Sequence, residues 1–203
     1  MKLSGYLNFL KDINLNNTLV LKTDLYVEAH DKKDNFLPYL KINQCIGIDI
    51  SFEIVKVARK NLIQCSPNMK FVVADVRYLP FKENVFGVII SDSTLDHLPK
   101  KDLILALLEA KRIIKNNGKF ILSLNNIFNL PFACDRVIKN LFFNAHFVAY
   151  SFRPQYLHKL LCSQDFRIIN RDYIIPLDYF ALFLIKLANI IKRIDFLARK
   201  WLS

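Results

Sequence analysis

An open α/β sheet, mainly parallel and with helices on both faces, is the fold this sequence predicts. Three observations carry it. Short apolar runs alternate with segments of helical period along most of the chain. Two of those runs, Cys45-Ile46-Gly47-Ile48-Asp49 and Val72-Val73-Ala74-Asp75, end on an acidic residue. Between them lies a helix with a clear start signal, Ser51 at its cap and Glu53 in its first turn. In such sheets the ligand crevice lies at the carboxyl ends of the strands, where an acid can meet hydroxyl or amino donors.

Taken in order, Thr18–Lys22 (TLVLK) reads as a first, buried strand. Asp31–Leu40 reads as a loop leading into a short helix, limited toward its N-terminus by Pro38. Gln44–Asp49 is the second strand. The helix capped by Ser51 runs to about Ile63, and Arg59 and Lys60 near its end suit the helix dipole. Lys70–Ala74 is the third strand, Tyr78-Leu79-Pro80-Phe81 a turn, and Val85–Ser91 the fourth strand. Lys100–Lys115 shows Leu103, Leu107, Leu108 and Ile114 at helical spacing; Asn116-Asn117-Gly118 stops it, with Gly118 suited to a left-handed C-terminal position. Lys119–Leu124 is the fifth strand, Pro154–Cys162 a further helix, and Phe166–Tyr173 a last strand.

The totals narrow the class. With 203 residues, 53% hydrophobic and 23% charged, the chain predicts a folded domain with a substantial core. Cys45, Cys65, Cys134 and Cys162 form no paired motif, so we expect reduced, mostly buried thiols, no metal site and a cytoplasmic protein. The opening MKLSGYLNFLKDINLNN holds no apolar core of signal-peptide length, and no run approaches the roughly 20 apolar residues of a membrane span. The net charge of +11 favours anionic partners. The basic residues are spread out and lack aromatic interleaving, so nucleic acid is not the expected partner.

Asp49 and Asp75 are the leading candidates for chemistry. A carboxylate can accept from both hydroxyls of a ribose, and a second can accept from the exocyclic amino group of an adenine. Either acid alone would more readily be a strand-end turn residue. Two in successive units favour a nucleoside site, with Asp49 toward the ribose and Asp75, beside Val76, toward the base.

CIGIDIS, FVVADVRYLPF, FGVIISDSTLDHLP and ALLEAKRIIKNNGKFILSLNN, in that order and spacing, give residues 44–125 a resemblance to class I S-adenosylmethionine-dependent methyltransferases. YSFRPQYLHKLLCSQDFRIIN resembles that family's last helix and following strand, with Asp165 where glycine is usual. The resemblance implies a Rossmann-like, doubly wound sheet of order 3-2-1-4-5-7-6; the tail offers no obvious seventh strand, so six or seven strands are expected. It also implies S-adenosylmethionine as cofactor. Asp49 would hold the ribose, Ile50 would border the adenine, and Asp75 and Val76 would bind its edge. Ser91 and Asp92 would face the methionine moiety and substrate. His97, on the following loop, would be either a general base or a loop histidine without a role.

One departure stands out. The family's glycine-rich first turn is absent: the chain reads VLKTDLYVEAH, and no glycine occurs from residue 6 to residue 46. Three readings follow. Thr23, Asp24 and Glu28 replace backbone contacts with side-chain ones, Asp24 or Glu28 accepting from the cofactor's amino group. Alternatively the pocket is closed and the chain is a non-catalytic methyltransferase-like scaffold. Or the site takes a different nucleotide. The first is preferred.

The expected organisation is a methyltransferase-like domain over 1–176, with an aromatic-rich substrate insertion at about 126–150, and a basic amphipathic helix over 177–203. In the insertion, Phe128, Phe142, Phe143 and Phe147 either line an apolar pocket or complete the core. In the tail, Phe183, Leu187, Ile190, Ile191, Ile194, Leu197 and Trp201 fill half of the helical wheel and charged residues the other. That helix either packs on its own domain or meets an anionic membrane surface. Together these features point to a small or lipid-linked methyl acceptor and a cytoplasmic protein, peripheral at the membrane if attached at all.

Overall fold

The computed structural model describes residues 9–10, 13, 15, 17–31, 35, 37–39, 42–126, 128 and 150–172. The chain divides into two units, Met1–Asn126 with Val148–Asp172, and Ile127–Phe147 with Tyr173–Ser203. The first unit holds all the elements below. The expectations for the tail over 177–203, and for the insertion apart from its ends and Phe128, fall outside the described residues.

Five strands form one sheet: β1 Leu19–Lys22, β2 Gln44–Asp49, β3 Met69–Val73, β4 Phe86–Asp92 and β5 Ile114–Ser123. Their order is β3-β2-β1-β4-β5, and every neighbouring pair is parallel. This is the predicted fold class, with the first five strands in the expected order. The helices are α1 Tyr26–His30, α2 Phe52–Leu62, α3 Lys100–Ile113 and α4 Pro154–Ser163, with 3-10 turns at Leu37–Tyr39 and Leu95–His97.

Strand pleating sends neighbouring side chains to opposite faces, and the core follows it. Val20, Val88 and Ile90 pack with Leu25 and with Val55, Ala58 and Leu62 of α2. Leu21, Ile48, Phe86 and Ile89 pack on the other side with Ala110 and Ile113 of α3. A third cluster, with Leu95, Leu103, Leu107, Phe152 and Leu160, joins α3 to α4. Each such leucine or isoleucine, buried fully, stabilises the fold by about 1.5–3 kcal/mol.

Ser51 caps α2 as expected, its Oγ accepting from the Ile54 N–H at 3.4 Å. Other expectations are corrected. Ile114 and Lys115 do not continue α3; they open β5, and Gly118 is not in the left-handed region. Gly118 instead sits where backbones approach: a Cβ there would fall 2.9 Å from the Lys115 carbonyl oxygen and 3.1 Å from that of Gly87. The close approach lies at the irregular register between β4 and β5, where Phe86 pairs with Ile114 but Val88 with Lys119. Leu108 is exposed rather than packed, because α3 turns Ala106 and Ala110 inward beside Leu103 and Leu107. Residues 166–172 form no strand; the segment before α4 instead makes an isolated parallel bridge between Asn126 and Phe152. Of the three cysteines described, only Cys45 is buried, and burial pushes its thiol up to about 12; Cys65 and Cys162 are exposed. The short helix α1 and the turn Leu95–His97 carried no strong periodicity and were not predicted.

Candidate functional site

Because all five strands are parallel, their carboxyl ends share one edge, and Lys22, Asp49, Val73, Asp92 and Ser123 end them. The strand order reverses direction between β1 and β4, the switch point where open α/β sheets form their crevice.

The loop after β1 lies at this switch point. Lys22, the last residue of β1, was not singled out from the sequence, yet it organises the loop. Its side chain is fully buried, and its Nζ donates to the Asp24 carbonyl oxygen at 2.8 Å, to Glu28 Oε2 at 3.0 Å and to Asp24 Oδ2 at 3.3 Å. Burial alone would lower the Lys22 pKa; Asp24, Glu28 and Asp92 more than offset this and hold it above the ordinary lysine value. Burial pushes the Glu28 pKa up, against the opposing pull of Lys22. Glu28 Oε1 is buried with no hydrogen-bond partner among the described residues. The signal for Lys22 was a lysine inside an apolar strand; buried lysines require such partners.

Asp24 and Thr23 face across to β4. Thr94 Oγ1 donates to Asp24 Oδ2 at 3.1 Å and lies 3.2 Å from Thr23 Oγ1, while the Thr23 N–H donates to the Ile90 carbonyl at 3.0 Å. Side chains therefore close the turn that glycines would otherwise shape. Of the two carboxylates expected to meet an amino group, Asp24 keeps 14% side-chain exposure and Glu28 has none.

Asp49 ties the next loop to this one. Its Oδ2 accepts from the Leu25 N–H at 3.1 Å and its Oδ1 from the Ser51 N–H at 2.9 Å. A carboxylate offers about four lone-pair sites, so about two remain open. Ile50, beside it, is 68% exposed at the crevice rim.

Asp75 is more heavily engaged. Its Oδ1 accepts from the Arg77 backbone N–H at 2.9 Å and from Nε at 3.0 Å; its Oδ2 accepts from Nε at 3.0 Å and from an Nη at 2.6 Å. The hydrogen bonds from Arg77 hold the Asp75 carboxyl below the usual range. The other Nη of Arg77 donates to Asp102 on α3. The following turn is fixed as well. Arg112 donates to the Leu79 and Phe81 carbonyls and to Glu109, whose Oε2 accepts from the Leu79 N–H at 2.7 Å. Val76 is half-buried and packs into the core beneath this turn.

At the end of β4, Ser91 is buried, its Oγ without a hydrogen-bond partner among the described residues, and Asp92 Oδ1 accepts from Ser123 Oγ at 2.8 Å. Ser93 takes a left-handed φ of 53°. Asp96, also not anticipated, is fully buried; its Oδ2 accepts from Asn125 Nδ2 and its carbonyl from the Tyr150 N–H at 2.6 Å. It thereby joins the loops after β4 and β5. His97 stands exposed at the end of the 3-10 turn. The fold thus brings Thr23, Asp24, Asp49, Ile50, Asp75, Val76, Ser91 and Asp92 to one edge, places Glu28 beneath it and leaves His97 exposed on the loop after β4. Two hollows of about 130 and 320 Å³ open elsewhere, lined by Cys45 and Met69 and by Gly87 and Lys119, near the amino ends of the strands.

Comparison with known proteins agrees with this fold. Residues 33–122 match the family model described as a methyltransferase domain. An uncharacterised protein of Methanocaldococcus jannaschii, MJ1252, is 33% identical over 102 residues, 50% of this chain and 38% of that one. The ubiquinone/menaquinone biosynthesis C-methyltransferase UbiE of Rickettsia felis is 39% identical over 75 residues, 36% of this chain and 29% of that one. The chain spans less than half the length of the curated relatives it matches. Among solved structures, magnesium protoporphyrin IX methyltransferase from Synechocystis, with bound SAH, superposes with a TM-score of 0.65 at 20% identity, over 83% of this chain and 73% of that one. At that identity the likeness concerns the fold.

Proposed function

We propose that this chain, which carries a class I S-adenosylmethionine-dependent methyltransferase domain, is a methyltransferase acting on a small or lipid-like acceptor, with a side-chain-built loop in place of the glycine-rich turn. The observation that carries the reading is Asp49. It ends β2 at the carboxyl edge, is pinned by two backbone N–H groups, and retains about as many acceptor sites as a ribose diol has donors.

The residues present fit the cofactor at both ends. Asp49 would hold the ribose, Ile50 and Val76 would flank the base, and Asp75 would accept from the adenine amino group. At the other end Asp24, held by Thr94 and Lys22, has the exposure and charge to accept from the methionine ammonium. Thr23 sets the height of that turn through the Ile90 carbonyl. Glu28 acts through Lys22, balancing its charge. Ser91 and Asp92 face the methionine end and the acceptor.

When bound, the cofactor supplies a sulfonium-activated methyl group. What the chain must add is alignment of the acceptor and exclusion of water, more than a strong base. His97, exposed on the loop after β4, would take a proton from an acceptor that loses one. The lipid-like acceptor is supported by the aromatic segment 126–150 and the basic amphipathic pattern of 177–203; UbiE and the magnesium protoporphyrin IX enzyme carry names of similarly apolar substrates. Among the described residues no helix is long and apolar enough to cross a membrane.

Isothermal titration with S-adenosylhomocysteine tests the site. Micromolar binding is expected, weakened about ten-fold or more by Asp49→Ala, the scale of hydrogen bonds to a charged group. No heat at millimolar ligand would sink the reading. Co-sedimentation with anionic and with neutral vesicles tests the surface; equal recovery in both supernatants would remove the membrane from it. One observation favours the non-catalytic alternative, the filling of the first turn by Lys22, Asp24 and Glu28. Binding without turnover on any quinol or isoprenoid-phenol acceptor would support it.

A further inference from the structure

The Arg77 guanidinium covers the two oxygens of Asp75 that a base would have to reach. Three N–H groups of Arg77 reach the two Asp75 oxygens, the single Nε hydrogen shared between both, and the guanidinium fork lies across the pair of oxygens. An adenine amino group is a donor and competes with that fork for the oxygens. Two of the three N–H groups belong to the guanidinium, and only the backbone N–H belongs to the turn itself. The guanidinium also has a second acidic anchor in place, Asp102 on the first turn of α3. Moving from Asp75 toward Asp102 exchanges one carboxylate for another and leaves no cation unpaired. The movement is open to solvent, since the Arg77 side chain is 31% and that of Asp102 25% exposed.

We propose that Arg77 is a specificity-determining residue that competes with the ligand's amino donor for Asp75, with Asp102 as the anchor to which it retreats. The proposal rests on the assignment of Asp75 to the base. Arg77 sets a threshold: a base that offers a donor to Asp75 displaces the guanidinium and recovers the bond, whereas a base that offers an acceptor meets the closed pair and recovers nothing. Asp102 lowers the threshold by holding the displaced guanidinium. Opposite effects of two substitutions follow. Removing Arg77 opens Asp75, and removing Asp102 leaves Arg77 committed to it.

Titration calorimetry of the full chain with S-adenosylhomocysteine and with its inosine counterpart, in which a carbonyl replaces the amino group, separates the outcomes. Arg77→Met is expected to tighten S-adenosylhomocysteine about three- to ten-fold, the scale of one or two net hydrogen bonds, and to leave the inosine compound unchanged. Asp102→Asn is expected to weaken S-adenosylhomocysteine. Arg77→Lys, which keeps the charge and loses the fork, is expected to shift binding in the same direction as Arg77→Met and serves if that variant fails to fold. Weaker binding of S-adenosylhomocysteine by Arg77→Met, or equal changes for the two compounds, overturns the proposal. If the unsubstituted chain binds neither compound, the nucleoside reading falls, and the proposal with it.

Discussion

At the β1 end of the crevice, a buried ion pair, Lys22–Glu28, underlies the loop; at the β3 end, the charged pair Asp75–Arg77 stays partly in solvent, and Ile50 and Tyr78 stand exposed nearby. The first end holds a lysine with no exposed surface, two carboxylates and two threonines, all within a few residues of the switch point. The second holds a fork whose partners can exchange. The difference separates shape from choice. Where the family pattern would have glycines, this chain fixes the turn by ion pairing, and the loop can be no more stable than that pairing. Where the base would lie, the turn is fixed from below by Arg112 and Glu109, leaving Arg77 free to act at the rim.

The largest expected effect breaks the buried end. Lys22→Met leaves Glu28 and Asp24 without their cation and should destabilise the domain by about 3–5 kcal/mol in urea unfolding. If the loss arises from the orphaned carboxylate, Lys22→Met with Glu28→Gln recovers about 1 kcal/mol or more relative to the single change. A double variant no more stable than the single one would mean that the pair does not couple. The pH dependence has a definite sign. The Lys22 pKa is raised in the folded state, so its contribution is complete below the ordinary value of 10.5 and is lost as pH rises through the folded value. Between those two values the loss of stability with rising pH should therefore be shallower in Lys22→Met.

Asp49→Asn sharpens the boundary between the two ends, since Asp49 serves both. It accepts from Leu25 on the β1 loop and from Ser51 at the cap of α2. The amide keeps one acceptor and loses the charge. We expect S-adenosylhomocysteine binding to weaken about ten-fold, with a smaller loss of stability, about 1 kcal/mol. A stability loss as large as that of Lys22→Met, with affinity intact, would make Asp49 a strut of the loop and nothing more.

The sheet was legible because parallel βα units repeat one signal, an apolar run, an acid and a capped helix, and Ser51 and Asp49 display it fully. What could not be read were interactions between residues distant in sequence. Nothing local to Arg77 announces Asp102, and nothing local to Leu79 announces Glu109 and Arg112. Lys22 lay in view inside TLVLK, but its burial is balanced by Glu28, six residues on, an ion pair that no local pattern announces. Gly118 shows the converse. Asn116-Asn117-Gly118 carries a strong helix-stop signal, yet the helix ends earlier, at Ile113, and the glycine serves the close approach at the register shift between β4 and β5.

On the nucleoside side, Glu109→Gln loosens the support under Arg77. Hydrogen bonds from Arg112 hold the Glu109 carboxyl below its ordinary range. Its contribution is therefore present above that range and is lost as pH falls through the folded value. Glu109 is partly exposed, so the effect is modest, about 0.5–1 kcal/mol at neutral pH, and the variant should unfold less steeply in acid. Thermal melts from pH 3 to 7 check this; parallel curves for the two proteins would show that Arg112 holds the turn through the carbonyls alone.

The smallest expected change lies away from both ends and calibrates them. Asp165 follows α4 with a φ of 57°, at the position where glycine is usual in the family the sequence resembles. An aspartate tolerates the left-handed region at some strain, and glycine removes that strain while adding freedom to the unfolded chain. The two effects oppose, so Asp165→Gly should raise stability by less than about 1 kcal/mol. The Lys111 ammonium donates to the Asp165 carbonyl at 2.8 Å, a backbone bond the substitution keeps. Cofactor affinity should then be unchanged, because the turn touches neither the Lys22 network nor the Asp75–Arg77 fork. If Asp165→Gly alters S-adenosylhomocysteine binding as much as Asp49→Asn does, affinity in this chain reports global stability, and no substitution at either end of the crevice can be read as a local effect.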